Sequence, residues 1–226
     1  MYEFSDLMGK NIEIEISGGY FYSGILVDSG LDIIVLYVGK TGSFLYIPSV
    51  HIQRIKESKK EENSTYYEPP SEKPLESESQ VISFRRILTN AKGRFVEVYV
   101  TGNKAIHGYL TSIMNDYFVF YSPVYKTVFI SMNHVKWLIP YPENATPYSL
   151  DSKFLPVNPA KIPLARSFDE QCKKLENQLV VIDGGDSSEK IGLLKKAVNK
   201  RLTLITAERE TVYRNLEHVK TIYLGN

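Results

Sequence analysis

The sequence predicts an all-β protein with short helices at the starts of its units, arranged as three tandem small five-stranded barrels. A short phrase that begins at His51, as His51-Ile52-Gln53-Arg54-Ile55, recurs at His134 and at His218. Upstream of each copy a glycine stands two residues before a leucine. Tyrosine and phenylalanine, with 16 and 10 copies, favour sheet over helix.

Each unit is predicted to begin with a short helix. Phe84, Ile87 and Leu88 have the i, i+3, i+4 spacing of an amphipathic helix. Ser167 is a suitable N-cap, because acidic residues follow it in the first turn. The segment from Ser5 to Lys10 is the corresponding short helix of the first unit.

The first strand shows the alternation of a half-buried strand. Ile12, Ile14 and Ile16 alternate with two glutamates. The residues at the same positions of the later repeats are Val96, Val98, Val100, Val180 and Ile182. Turn residues that tolerate positive φ follow each time, and the turns are Ser17-Gly18-Gly19, Thr101-Gly102-Asn103 and Asp183-Gly184-Gly185-Asp186.

The second strand carries the repeated glycine and leucine. These residues are Gly24 and Leu26, Gly108 and Leu110, and Gly192 and Leu194. Glycine inside a strand marks a bend or a close approach of another backbone. We therefore expect the strand to bend here, where the sheet of a small barrel turns a corner.

The third and fourth strands are predicted from apolar positions that also repeat. The third strands hold Ile34 and Leu36, Phe118 and Phe120, and Leu202 and Leu204. The fourth strands place Tyr46, Phe129 and Tyr213 at one equivalent position. The phrase that begins with histidine is predicted to be the fifth strand.

Composition divides the chain into three units and two connections. The predicted segments are unit 1 (1–56), an acidic flexible linker (57–80), unit 2 (81–140), a proline-rich connector (141–162) and unit 3 (163–226). The linker is charged and poor in aliphatic residues, which is typical of disorder. The connector contains several prolines, which favour an extended and semi-rigid chain.

Charge and cysteine usage exclude several classes of function. The net charge is +1, and the most basic segment, 81–162, carries only +5, which is sparse for a phosphate-binding surface. Cys172 is the single cysteine, so neither an intramolecular disulfide nor a thiolate zinc cluster is expected. We find no signal peptide and no membrane-spanning apolar run. The expected site of synthesis is a reducing cytosol.

Two of these stretches resemble the Sm-like barrel family. Gly24 to Asp28 with the following strand resembles its first motif, and Ser49 to Ile55 resembles its second. The resemblance implies three Sm-like (SH3-like) barrels and, as one alternative function, binding of single-stranded RNA. Asp32 and Asp116 lie near the acidic position of the family's RNA site. Lys200 breaks that set, and the family's Arg-Gly pair is missing from all three repeats.

The third repeat resembles the repeats of Bacillus-type spore coat protein B. Asp183 to Asp186, Gly192 to Leu194 and Asn215 to Ile222 carry this resemblance. It implies a structural scaffold protein made in the mother-cell cytoplasm, located in the spore coat, and bound to other coat proteins or to itself. The family's long serine- and lysine-rich tail does not follow Asn226, so no phosphorylation-dependent role is expected.

The residues predicted to matter are architectural. They are the repeat positions Gly24, Leu26, His51, Gly108, Leu110, His134, Gly192, Leu194 and His218. The alternative is that the three histidines meet around a pseudo-threefold axis as ligands of zinc or nickel. Because nothing else supports that arrangement, we predict no metal, no cofactor, no small-molecule substrate and no enzymatic activity.

Overall fold

The computed structural model describes residues 4–58, 67–75, 81–100, 104–143, 145, 147–149 and 162–225. In these ranges the protein is mostly β, with fifteen strands and two α-helices. The predicted all-β class is therefore confirmed. Among the described residues, no helix is both long enough and apolar enough to cross a lipid bilayer.

The first series of elements opens with a 3-10 turn instead of an α-helix. Its members are the turn Ser5–Leu7, β1 (Asn11–Ile16), β2 (Tyr20–Ser29), β3 (Ile33–Val38), β4 (Ser43–Pro48), a second 3-10 turn Ser49–His51, and β5 (Ile52–Glu57). The predicted alternation of β1 is confirmed, because its three isoleucines are buried.

The second series opens with the predicted amphipathic helix. Its members are α1 (Phe84–Ala91), β6 (Phe95–Val100), β7 (Lys104–Ile113), β8 (Tyr117–Ser122), β9 (Lys126–Ser131), a 3-10 turn Met132–His134, and β10 (Val135–Pro140). Phe84, Ile87 and Leu88 are buried, as the spacing predicts. The predicted turn 101–103 lies outside the described residues.

The third series repeats this order. Its members are a 3-10 turn Pro147–Ser149, α2 (Phe168–Lys174), β11 (Leu179–Ile182), a 3-10 turn Ser188–Lys190, β12 (Ile191–Val198), β13 (Arg201–Ile205), β14 (Thr211–Asn215), a 3-10 turn Leu216–His218, and β15 (Thr221–Leu224). Ser167 is the N-cap residue of α2, and its hydroxyl donates to Asp169 at 2.6 Å. Most of the proline-rich connector, 150–161, lies outside the described residues.

The chain forms two compact units. Unit 1 contains Met1–Ile106 and Val135–Ala145, and unit 2 contains His107–His134 and Thr146–Asn226. The strand order of unit 1 is β6-β10-β4-β3-β2-β1-β5, and that of unit 2 is β14-β13-β12-β11-β15-β9-β8 with the end of β7. The second series therefore contributes strands to both units.

In each unit, aromatic residues of the second series complete the core of another series. In unit 1, Trp137 of β10 packs with the inward residues of β1 to β4. In unit 2, Tyr117 and Phe129 pack with the inward residues of the third series, where Cys172 and Leu175 of the helical segment also lie. The repeats thus share their cores instead of each closing alone.

Part of the segment predicted as a flexible linker packs against strands of unit 1. Leu75 is buried, and its N–H donates to the Tyr46 hydroxyl at 3.0 Å. Lys73 forms an ion pair with Asp28. The composition of 57–80 does not indicate these contacts, because a single leucine provides the apolar anchor. Residues 59–66 and 76–80 lie outside the described residues.

Candidate assembly interface

The three repeat glycines lie where a neighbouring backbone comes very close. A Cβ at Gly24 would lie 2.3 Å from Tyr37 O, at Gly108 2.2 Å from Tyr121 O, and at Gly192 2.4 Å from Ile205 O. Just after each glycine the pairing register with the third strand shifts, at Leu26, Leu110 and Leu194. The same irregularity in all three repeats is a β-bulge, which bends the strand.

The three repeat histidines do not begin the fifth strands. His51, His134 and His218 each end a 3-10 turn between the fourth and fifth strands. In the first and third of these turns, the residue after the histidine, Ile52 or Val219, donates its N–H to the backbone oxygen of the first residue of the turn. His51 Nδ1 lies 3.4 Å from Ser17 Oγ, whereas the His218 side chain is exposed.

Successive repeats are joined by strand pairing at equivalent places. The fourth strand β4 pairs antiparallel with β10, which is the fifth strand of the next repeat, and Tyr46 lies opposite Leu138. The fourth strand β9 likewise pairs with β15, and Phe129 lies opposite Ile222. We call each such pair of strands an inter-repeat junction.

Aromatic side chains pack together at the junction of β4 and β10. Trp137 is 3% exposed and stacks on Tyr99 with ring centroids 3.9 Å apart. Tyr20 and Tyr22 meet the indole edge to face. The Tyr99 hydroxyl donates to the Tyr20 hydroxyl at 2.7 Å, and burial raises the pKa of Tyr99. The Tyr99 phenol therefore remains neutral, and its hydrogen bond to Tyr20 joins the two repeats.

A buried lysine ties the same junction to the first hairpin. Lys136 is 2% exposed, and its ammonium donates to the backbone oxygen and to the hydroxyl of Ser17. Burial lowers the pKa of Lys136. This contact is not among the predicted ones, although the sequence contains one signal for it: Lys136 stands in an otherwise apolar strand, where a charge requires a partner.

The junction of β9 and β15 has a histidine at its end. His134 Nε2 lies 2.8 Å from the backbone oxygen of Glu217, to which it donates. Burial lowers the pKa of His134, and this hydrogen bond offsets part of the effect. The nearby Asp183 carboxylate accepts the N–H groups of Lys220 and Thr221 at 2.9 and 3.1 Å.

The two acidic residues predicted near an RNA site cap helices. Asp32 Oδ1 accepts the N–H of Phe84 at 2.7 Å, and Asp116 Oδ1 accepts that of Phe168 at 2.8 Å. Each carboxylate thus fixes the helix that opens the next repeat. Lys200 occupies the third equivalent position, and its ammonium forms an ion pair with Glu217 at 2.5 Å.

Two edge strands, which we call the free edges, continue the junction series without a partner strand. Within the described residues, β5 pairs only with β1 and β14 pairs only with β13. Tyr213 of β14 is 65% exposed, whereas its equivalents Tyr46 and Phe129 are buried in junctions. Sequence equivalence alone does not distinguish these three aromatic residues, because only the presence of a neighbouring strand differs.

Two observations on the described residues bear on metal binding and on the reactivity of the cysteine. They contain no group of three or more His, Cys, Asp or Glu side chains that could hold a metal ion. Cys172 is buried, and burial raises the pKa of its thiol to about 12, so the thiolate nucleophile is disfavoured near neutral pH.

Comparison with known proteins gives the family of the chain. A protein of Bacillus subtilis (strain 168), described as Uncharacterized protein YwrJ, is 44% identical over 222 residues, which cover 97% of this chain and 98% of that protein. The chain belongs to the YwrJ family. The family model for the YwrJ third domain matches residues 167–222. In this YwrJ-family protein the matched range runs from the N-cap of α2 into β15.

Proposed function

We propose that this YwrJ-family protein is a non-enzymatic structural protein of the bacterial spore coat. Its three tandem repeats form Sm-like barrels that assemble with other coat proteins through β edges and aromatic surface contacts. The observation that carries this proposal is the junction series, which leaves β5 and β14 as edges. Unpaired N–H and C=O groups on an edge are a template for another strand.

The resemblance of the third repeat to spore coat protein B supports the same role. Asp183, which the resemblance includes, holds the backbone that leads into β15 through two hydrogen bonds. Tyr213 on β14 supplies an exposed aromatic anchor of the kind enriched in protein interfaces. The scaffold role therefore uses features that the repeats already use to join one another.

The RNA-binding alternative has weaker support. Asp32 and Asp116 lie near the acidic position of the Sm-like RNA site, but their carboxylates accept N–H groups of helices. The net charge of +1 provides little attraction for a phosphate backbone. These contacts favour the scaffold over the RNA-binding role.

The location of the protein in a spore tests the proposal. The full chain, fused to a fluorescent protein, would be produced in the mother cell of sporulating Bacillus subtilis. We expect a fluorescent shell around the spore and recovery of the fusion in the extracted coat fraction. Signal that stays diffuse in the mother cell would contradict a coat role. Retention of poly-U or poly-A by the purified chain in low-salt filter binding would instead support RNA binding.

A further inference from the structure

The two inter-repeat junctions share one register. Tyr46 faces Leu138 in the first junction, and Phe129 faces Ile222 in the second. Each histidine follows its aromatic residue after the same interval in both repeats, so these pairs occupy equivalent positions. Because both junctions have this register, we apply it to the free edges.

The pair of residues next to Tyr46–Leu138 or Phe129–Ile222 in this register is buried and uncharged in both junctions. In the second junction Thr221 faces Ile130, and both residues are buried. In the first junction the same register brings Trp137 beside Ile47, which are also buried. Packing at this position therefore seals the core of one repeat with a side chain from the next.

Applied to the free edges, the same register would bring two arginines together. If β14 of one copy met β5 of a second copy, Tyr213 would face Ile55, as in the junctions. At the neighbouring position Arg214 would face Arg54. Arg54 already binds Glu15 at 3.0 Å, and Arg214 binds Glu189 at 3.2 Å.

Two opposed guanidinium groups destabilise such a junction for two reasons. Like charges directly opposite each other across paired strands repel. Burial at this position would also remove water from both charges, which is costly unless each has a well-placed partner. A carboxylate on the incoming strand would reverse the sign of the interaction, because a guanidinium has five donors and can bind a second carboxylate.

We propose that Arg54 and Arg214 prevent this chain from adding a second copy head to tail, and that each free edge accepts an acidic strand of another protein. The partner strand carries an apolar residue opposite Ile55 or Tyr213 and an Asp or Glu opposite the arginine. This inference rests on the proposed assembly through β edges and specifies its partner. The free edges are therefore selective, not generally adhesive.

Charge reversal in the full-length chain tests the proposal, with light scattering after size exclusion as the measurement. R54E gives β5 a carboxylate to which Arg214 of a second copy should donate, and R214E gives β14 a carboxylate to which Arg54 of a second copy should donate. We expect the wild-type chain to stay monomeric and each single variant to self-associate at least about tenfold more tightly, the change that corresponds to roughly 1.4 kcal/mol. The double variant R54E/R214E should be monomeric again, because two carboxylates then face each other.

Mixing and a matched control sharpen the result. Wild type and the double variant should associate when mixed, although neither does so alone, since every contact then pairs an arginine with a carboxylate. K56E makes the same charge change two residues along β5, where Lys56 also binds a glutamate, and should leave the chain monomeric. The proposal is overturned if the wild type itself polymerises, if the single variants do not associate, or if the double variant associates as strongly as they do.

This outcome is independent of where the protein resides. A fusion that fails to reach the spore coat would refute the proposed function, but the preference of each free edge for a strand that carries a carboxylate would still hold. Failure of the charge-reversal series would refute that preference and would not affect the proposed location in the coat.

Discussion

The glycines of the second strands are fixed by contact with a backbone carbonyl, not by turn geometry. Each of the three would place a Cβ within 2.4 Å of a carbonyl oxygen on the third strand. Because such an oxygen belongs to a paired strand, it cannot move aside as a flexible side chain could. Any larger residue must therefore separate the two strands or break the bulge.

Replacing Gly108 with valine should accordingly destabilise the protein by about 3 kcal/mol, at the upper end of common single-residue effects. The measurement is the denaturation midpoint in urea. Gly93→Asn is a suitable control, because Gly93 has φ +79° and no atom within 4 Å of its Cβ position, and asparagine tolerates this conformation. A midpoint for Gly108→Val equal to that of the control would show that the close approach is not limiting.

His134 should make stability depend on pH. Its folded pKa lies below the ordinary value of 6.5 because the ring is half-buried, so the unfolded chain binds more protons as pH falls below about 6.5. The stability present above that pH should therefore decline as the pH falls from 6.5 through the lower, folded pKa. We expect His134→Gln to flatten this decline in urea titrations between about pH 7.5 and 5.

Two outcomes distinguish this effect from general acid sensitivity. His218→Gln changes the equivalent, exposed residue of the third repeat and controls for the loss of one histidine. If the wild type and His134→Gln lose stability in parallel over the whole range, His134 does not contribute to the pH dependence.

At the scale of elements, strands at equivalent places of the repeats differ in burial. β3 is buried on both faces, whereas β13 at the equivalent place alternates between buried and exposed residues. The sequences agree with this difference, because Ile33–Val38 is a continuous apolar run and Arg201–Ile205 alternates. The difference in burial between β3 and β13 therefore follows the distribution of apolar residues in the two strands.

The helix caps between repeats should contribute measurably. Asp116→Ala removes the acceptor for the N–H of Phe168, and losses of this kind cost about 1 kcal/mol. Lys200→Ala at the equivalent position of the third repeat is the matched control and should change stability less. Equal midpoints in thermal or urea unfolding for both variants would argue against the capping role.

At the scale of the whole molecule, the second repeat is divided between two compact units. Its strands β6 and β10 belong to unit 1, and β8 and β9 belong to unit 2. Trp137 completes the core of unit 1, and Phe129 completes the core of unit 2. The second repeat consequently contributes core residues to both units.

The sequence by itself determined the β class, the number of repeats, the strand series and the helix α1. It could do so because period-two alternation, turn residues and an interval of 84 residues are local properties or simple recurrences. It also identified the bend at Gly108 and its equivalents, since glycine within a strand has few other uses.

Only the tertiary structure decided which strand pairs with which, and therefore where the repeats end. Pairing of β4 with β10 depends on contacts between residues distant in sequence, which no local pattern specifies. The same is true of Tyr213, which is exposed although Tyr46 is buried at the equivalent position. That Arg54 and Arg214 would face each other can be inferred only after the shared register of the two junctions is known.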